Sequence, residues 1–260
     1  MCYLYVNENG VNVSVEGNQC IAKYPDGMKK FVPIESLESI IIMGHSQITT
    51  HCMEECIKRG INISYFSKSG RYFGKVQSTG HVKAHRQRIQ CALYDTEFAV
   101  ELAKRIITAK INNQNVVLKR YERYKKIFLP SIHSIMDDCK HSVQKCDDVF
   151  EIMGYEGQAA KCYFNGLSKC IKEEFAFEGR SRRPPLDEFN SMIGLGYSIL
   201  MNEIYGKIEQ KGLNPYFGFI HRDAEKHPTL ASDLMEEWRA VIVDATVMSI
   251  INGNEIIQCG

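Results

Sequence analysis

The sequence predicts an α+β protein in which a small, mostly β N-terminal domain precedes a larger all-α domain. Up to about residue 76, short stretches alternate between apolar and polar residues and are separated by turns rich in Gly, Asn and Asp. Beyond the polar segment at 77–80, apolar residues recur every three to four positions, which is typical of helices. We therefore expect a β-rich domain over residues 1–76 and an α-helical domain over residues 77–260.

The individual elements follow from these patterns and from the turn residues between them. In the first domain, strands are expected at 3–6, 11–15, 19–24, 40–43 and 61–66, followed by a hairpin that leads to residues 72–73, with a helix at 46–59 that ends before Gly60. In the second domain, helices are expected at 83–95, 96–112, 114–126, 151–172, 187–211 and 229–252.

Composition excludes several classes of protein. Of the 260 residues, 44% are hydrophobic and 24% charged, which is ordinary for a globular chain and argues against disorder. No apolar run approaches the length of a membrane span, and the first residues do not resemble a signal peptide, so we expect a cytoplasmic protein with no membrane partner. The ten cysteines are scattered without a Cys-x-x-Cys pair, so we expect reduced thiols and no zinc or iron–sulfur site.

Positive charge is concentrated in one part of the chain although the net charge is only +1. Residues 75–126 contain twelve Lys and Arg against four Asp and Glu, interleaved with Tyr121 and Tyr124. Such a stretch favours a polyanionic partner, with a solvated basic helix face as the alternative.

An acidic residue interrupts the apolar face of the helix expected at 151–172. On a helical wheel Ile152, Ala159 and Tyr163 share one face, and Glu156 falls in its middle. A carboxylate there would be desolvated, which is costly unless it meets a proton, a hydrogen-bond donor, a cation or a metal. Glu156 is thus a candidate site residue, with a buried structural pair or a frayed helix as the alternatives.

Two further candidates lie near the C-terminus. His221 ends an apolar run in a connection that contains glycine and proline, a setting that suits a functional or a structural histidine. Asp233, Glu236 and Glu237 project from one side of the last helix, beside its apolar stripe, where a solvated acidic edge is the alternative. Together with Glu156 these residues would suit divalent-metal chemistry on a phosphodiester, because carboxylates favour Mg²⁺ and one imidazole favours Mn²⁺.

Three segments resemble the CRISPR-associated integrase of the adaptation, or spacer-acquisition, module. They are Gly-Tyr-Glu-Gly-Gln-Ala-Ala-Lys-Cys-Tyr-Phe at 154–164, Arg-Arg-Pro-Pro-Leu-Asp-Glu-Phe-Asn at 182–190, and Gly-Phe-Ile-His at 218–221 with Ser-Asp-Leu-Met-Glu-Glu-Trp-Arg at 232–239. Their order and spacing match the family, and so does a small β domain followed by a helical one. The similarity therefore covers essentially the whole chain.

The resemblance implies a metal site. It implies Glu156, His221 and Glu236 as catalytic ligands of Mg²⁺ or Mn²⁺, with Asp233 and Glu237 as supporting or alternative ligands. It also implies a set of basic residues that hold DNA phosphates, with Lys161 where the family often has arginine. This set is Lys83, Arg86, Arg88, Lys161, Arg180, Arg182 and Arg183.

The function that the resemblance implies is the insertion of foreign DNA fragments, or spacers, into a CRISPR repeat array by attack of a 3′-hydroxyl on a phosphodiester. Residues 1–76 would then be a dimerisation domain and residues 77–260 a metal-dependent catalytic domain. The expected partners are double-stranded DNA, a second copy of the chain in a homodimer or higher oligomer, and the small ferredoxin-like protein of the adaptation complex. Two alternatives remain: a metal-dependent nuclease on branched or single-stranded DNA that does not integrate, and a non-catalytic DNA-binding scaffold.

Overall fold

The computed structural model describes residues 2–68, 70, 72–80, 82–181 and 184–255. The chain divides into two compact units, residues 1–82 and residues 83–260. The domain boundary expected from the sequence, after residue 76, lies six residues before this division, where the last strand of the first unit ends.

The N-terminal unit holds two four-stranded sheets and one helix. One sheet has the order β1-β5-β7-β8, parallel except for the β7–β8 pair, and the other has the order β4-β3-β2-β6. The strands are β1 Cys2–Val6, β2 Asn12–Glu16, β3 Gln19–Lys23, β4 Lys29–Pro33, β5 Leu37–Met43, β6 Gln47–Ile48, β7 Asn62–Phe66 and β8 Tyr72–Val76. Buried Val, Ile, Leu and Cys side chains from both sheets form one core.

Helix α1, Thr50–Arg59, begins four residues later than expected because Thr49 caps it: its hydroxyl accepts a hydrogen bond from Cys52 N at 3.2 Å. Gly60, with φ of 72°, ends the helix in the left-handed conformation that glycine adopts without strain.

The C-terminal unit is built from helices around a single large apolar core. They are α2 Ala84–Ala92, α3 Glu97–Lys125, α4 Pro130–Val143, α5 Val149–Ser168, α6 Glu188–Gln210, α7 Thr229–Met235 and α8 Ala245–Asn252. The predicted fold class, a mostly β region followed by a helical one, is confirmed. Of the helices in the described ranges, none is both long and apolar enough to cross a bilayer.

Three helix predictions are wrong in detail. Helices expected at 96–112 and 114–126 are one continuous helix, α3, and helix α4 was not predicted. The helix expected at 229–252 is broken: α7 ends at Met235, a turn follows, and Arg239–Asp244 form a π-helical segment before α8 begins. A π turn holds one extra residue, and this changes the apolar pattern of the sequence too little for the turn to be predicted. Such turns are frequent at functional sites.

Candidate active site

Helix α5 carries Glu156 on its buried side, as the wheel indicates. Ile152, Ala159 and Tyr163 are fully buried, and the side chain of Glu156 is 15% exposed. Helix α5 packs against α3, so the carboxylate of Glu156 faces a neighbouring helix and only the edge of it meets solvent.

The connection before α7 is organised by one buried carboxylate. Asp233 accepts hydrogen bonds from the backbone N–H groups of Phe219 at 2.6 Å, Ile220 at 3.0 Å and His221 at 3.0 Å. Its Oδ1 also lies 2.7 Å from His221 Nδ1. Because a carboxylate oxygen accepts hydrogen bonds, the Nδ1 side of the ring faces Asp233 and Nε2 is turned toward Glu236. Asp233 thus fixes both the backbone and the ring of His221.

A glycine allows this close approach. A Cβ at Gly218 would lie 2.8 Å from Asp233 Oδ2 and 2.8 Å from the backbone carbon of Thr229. The N–H of Gly218 donates to the Thr229 hydroxyl at 2.9 Å, which holds the connection against the start of α7. The glycine in the Gly-Phe-Ile-His segment is therefore required by packing.

Glu236 lies just beyond α7 and is almost fully buried, at 2% exposure. Its Oε1 is 3.1 Å from Arg239 Nη2 and 3.7 Å from His221 Nε2. Burial alone would raise the pKa of the Glu236 carboxyl, but the positive charges of Lys110 and Arg239 outweigh burial and hold that pKa below its ordinary value. Asn113 of α3 donates to the carbonyl of Glu237 at 2.7 Å. This hydrogen bond attaches the turn that contains Glu236 to α3.

Lys110 of α3 joins the two acids. Its ammonium forms short ion pairs with Glu156 Oε1 and with Glu236 Oε2. In the sequence Lys110 counted among the basic groups expected to face a polyanion, and this interpretation is wrong for it because its side chain is 6% exposed.

The sequence contained a signal for Lys110. It follows Ile106 and Ile107 on the buried side of α3 and precedes Ile111, so it interrupts an apolar face as Glu156 does. Two opposite charges that interrupt the apolar faces of two helices are candidates for one buried pair.

The structure thus brings Glu156 and Glu236 together on one cation, the Lys110 ammonium, and places His221 Nε2 3.7 Å from Glu236 Oε1. Within the described ranges, no three His, Cys, Asp or Glu side chains form a ready metal cluster, since Lys110 stands between the two glutamates. Two carboxylates and an imidazole are donors that suit Mg²⁺ or Mn²⁺. The ammonium occupies the place of a cation between them, so these residues fit such an ion.

The two other acids of the last segment separate into different roles. Asp233 is fully buried and engages His221 and backbone N–H groups, whereas Glu237 is half-buried and its backbone carbonyl contacts Asn113. Of these two acids, Asp233 is therefore the one whose side chain contacts a candidate ligand, His221.

A buried aspartate lies behind the site at the end of the π-helical segment. Asp244 accepts hydrogen bonds from Tyr197 at 2.6 Å and Tyr163 at 3.0 Å. Burial raises the pKa of the Asp244 carboxyl to about 6, although both hydroxyls act in the opposite direction. This network joins α5 and α6 to the segment that follows Glu236, and no pattern in the sequence predicts it.

The residues expected to hold DNA differ in their surroundings. Lys83, Arg88 and Lys161 are exposed, as phosphate contacts require. Arg86 is exposed but donates to the carbonyl of Lys211 at 2.6 Å, near the end of α6. Arg180 donates to Asn190 Oδ1 at 2.8 Å and lies 5.4 Å from the ring centre of Tyr197, so it has an internal role. Arg182 and Arg183 lie outside the described residues.

Comparison with known proteins identifies a family that matches nearly the whole chain. The family described as "CRISPR associated protein Cas1" matches residues 4–258. The CRISPR-associated endonuclease Cas1 of Mycobacterium tuberculosis is 40% identical over 255 residues, which cover 96% of this chain and 74% of that protein.

Two solved structures share the fold. A casposase bound to an integration product has a TM-score of 0.85 and 26% identity, covering 99% of this chain and 75% of that one. A chain of a Cas6-RT-Cas1–Cas2 complex has a TM-score of 0.81 and 27% identity, covering 99% of this chain and 28% of that one.

Fold and relatives together define a DNA endonuclease/integrase. The resemblance seen in three segments of the sequence is confirmed over nearly the whole chain. The chain belongs to the Cas1 family, the integrase of the CRISPR adaptation module.

Proposed function

We propose that this endonuclease/integrase is metal-dependent and that Glu156, His221 and Glu236 hold its Mg²⁺ or Mn²⁺. The observation that carries the proposal is the meeting of two glutamates from separate segments on one cation, Lys110, with His221 Nε2 3.7 Å from Glu236. A divalent ion bound there would supply Lewis-acid stabilisation of the charge that develops on a phosphoryl oxygen.

The protein's own residues account for the rest of the chemistry. Asp233 holds the His221 ring so that Nε2 faces Glu236, which is the arrangement that orients metal-binding histidines. Arg239, with Nη2 3.1 Å from Glu236 Oε1, adds a further positive charge beside the proposed ligands. The attacking group is a DNA 3′-hydroxyl: as its oxygen bonds to phosphorus, the P–O3′ bond of the target strand breaks and leaves a free 3′-hydroxyl, so no covalent enzyme intermediate is needed.

DNA is proposed to reach this site through phosphate contacts with three exposed basic residues, Lys83, Arg88 and Lys161. Contacts of this type hold phosphates without reading sequence, as insertion of unrelated fragments requires. The casposase relative is bound to an integration product, which supports DNA as the substrate.

The protein is proposed to act as a homodimer or higher oligomer formed through the β-rich N-terminal unit, because two ends of each fragment must be joined. The relative in a Cas1–Cas2 complex supports assembly into a larger particle. We also propose the small ferredoxin-like adaptation protein as a partner, a point that co-purification of the two chains would test.

The test uses a supercoiled plasmid with a repeat array and a short duplex, incubated with the protein and Mn²⁺. We expect joined product with the wild-type protein, and loss of joining and nicking with retained DNA binding in Glu156→Ala. Glu151→Ala is the matched control and should remain active, since Glu151 is an exposed glutamate in the first turn of the same helix.

Each alternative has its own outcome in this assay. Nicking without joined product would indicate a nuclease that does not integrate. Full activity in Glu156→Ala would show that the proposed ligand set is wrong. DNA binding without any metal-stimulated strand chemistry in the wild-type protein would indicate a scaffold.

A further inference from the structure

Lys110 is an unusual residue for the centre of a metal site. Its exposure is 5%, and no other Lys or Arg in the described part of the chain is classed as buried. Its ammonium contacts one oxygen of Glu156 and one of Glu236. Burying an ammonium is costly, and it is tolerated when good ion pairs compensate it, as two carboxylates do here.

A divalent ion held by Glu156 and Glu236 would lie close to the same ammonium. The ammonium pairs with Oε2 of Glu236, while Oε1 of that residue faces Arg239 at 3.1 Å and His221 Nε2 at 3.7 Å. Both oxygens of Glu236 therefore already face positively charged or nitrogen groups. Because the Lys110 ammonium lies between the two carboxylates, an ion that bridges Glu156 and Glu236 competes with that positive charge for the pair.

We infer that Lys110 is a built-in competitor for the metal site: its ammonium holds Glu156 and Glu236 together without metal and sets the affinity for the ion that replaces it. This inference rests on the proposed metal ligands. Lys110 is a positioning residue in this scheme, since it acts on the two glutamates. Its position in mid-helix, on α3, keeps the competing charge close after displacement, so the penalty to metal binding persists.

Lys110→Met removes the charge and keeps the length of the side chain, so it isolates the competition. Without its cation, the glutamate pair should bind Mn²⁺ at least about tenfold more tightly, which corresponds to about 1.4 kcal/mol. The metal-free variant should also melt at a lower temperature than the wild type, because two buried carboxylates then lose their shared counter-charge. Added Mn²⁺ should accordingly raise its melting temperature more than that of the wild type.

The measurement is Mn²⁺ binding to the full chain, followed by the loss of the free-ion electron paramagnetic resonance signal. Lys119→Met is the matched control, because Lys119 is an exposed lysine of the same helix, and its affinity should equal that of the wild type. Lys110→Gln is a second variant that keeps a polar side chain without the charge. Wild-type or weaker Mn²⁺ affinity in both folded Lys110 variants would overturn the inference.

Folding and the ligand set are tested separately. If the Lys110 variants unfold without metal, recovery of the native circular dichroism spectrum with Mn²⁺ supports competition, and no recovery at saturating Mn²⁺ overturns it. Glu156→Gln tests the underlying metal site: unchanged Mn²⁺ binding there would refute the proposed ligands. Loss of binding in Glu156→Gln with no gain in Lys110→Met would refute the role of Lys110 alone.

Discussion

Asp233 and His221 are joined twice: Asp233 Oδ1 accepts from the backbone N–H of His221 at 3.0 Å and lies 2.7 Å from its ring Nδ1. One fully buried carboxylate therefore sets the position of the residue and the orientation of its side chain. The imidazole therefore has a defined orientation before any ligand arrives, which lowers the entropy lost when the site is completed.

Asp233→Asn should impair both folding and catalysis. The amide has one acceptor oxygen in place of two, so N–H groups of the 219–221 backbone lose partners. We expect about 1–3 kcal/mol less stability and roughly 10–100-fold slower strand joining. Urea unfolding and single-turnover assays measure these effects, and equal rates in the variant and the wild type would contradict the positioning role.

Gly218→Ala should disturb the same connection through packing. The added Cβ would meet Asp233 Oδ2 and Thr229 at 2.8 Å, so the 218–221 backbone must shift. We expect a loss of about 1–3 kcal/mol in stability, measured by urea unfolding, together with slower strand joining. Gly194→Ala on α6 is the control: no atom lies within 4 Å of its new Cβ, and alanine should stabilise the helix by about 0.5–1 kcal/mol.

Asp244 should make stability depend on pH. Its carboxyl has a pKa of about 6 in the folded protein against 3.8 ordinarily, so the folded state binds the proton more tightly. The raised pKa of Asp244 therefore adds about 3 kcal/mol to the free energy of unfolding below about pH 4. This stabilisation is lost as the pH rises through about 6, because the buried carboxyl then ionises.

Asp244→Asn removes this dependence while keeping a polar partner for Tyr163 and Tyr197. The difference in unfolding free energy between the variant and the wild type should therefore shift in favour of the variant from pH 4 to pH 7. Urea titrations of both proteins at several pH values give this difference, in which other titrating groups cancel. A difference that stays constant with pH would rule out the raised pKa.

Exposed basic residues of the C-terminal unit should contribute to DNA affinity through salt-dependent contacts. Combining Lys83→Ala with Arg88→Ala should weaken binding and reduce the slope of log affinity against log salt by roughly one unit per lost contact. Lys23→Ala, which removes an exposed lysine of the other unit, should leave the slope unchanged. Arg86 is excluded from the test because its bond to the Lys211 carbonyl gives it a structural role. An unchanged slope in the double variant would place the DNA path elsewhere.

The fold class was predictable because periodicity changes between the two parts of the chain, but helix continuity was not. Asn112, Asn113 and Gln114 favour a break in α3, yet the helix continues. Asn113 is needed to hold the carbonyl of Glu237, and Gln114 is buried, so tertiary contacts override the local preference. The break after Met235 was not predicted, because the apolar stripe of the sequence continues through it and indicates one uninterrupted helix.

The candidate ligands were predictable as residues out of place, with family resemblance supplying their grouping. Glu156 and Glu236 are 80 positions apart, so no spacing rule joins them. Lys110 was missed because a lysine in a basic stretch was interpreted by the charge of its neighbours, while its position among buried isoleucines is what predicts burial. The Tyr163–Asp244–Tyr197 network depends on three separate segments and could not be predicted from any one of them.

The widened turn at Arg239–Asp244 sets the direction of residues five positions apart. Arg239 lies 5.0 Å from the ring centre of Tyr197, and Asp244 accepts from the hydroxyl of that same tyrosine. In an ordinary α-helix, residues five apart point about 140° away from each other. Converting this stretch into a regular α-helix of the same length would therefore turn Asp244 away from its tyrosines and remove the network that supports the segment behind Glu236.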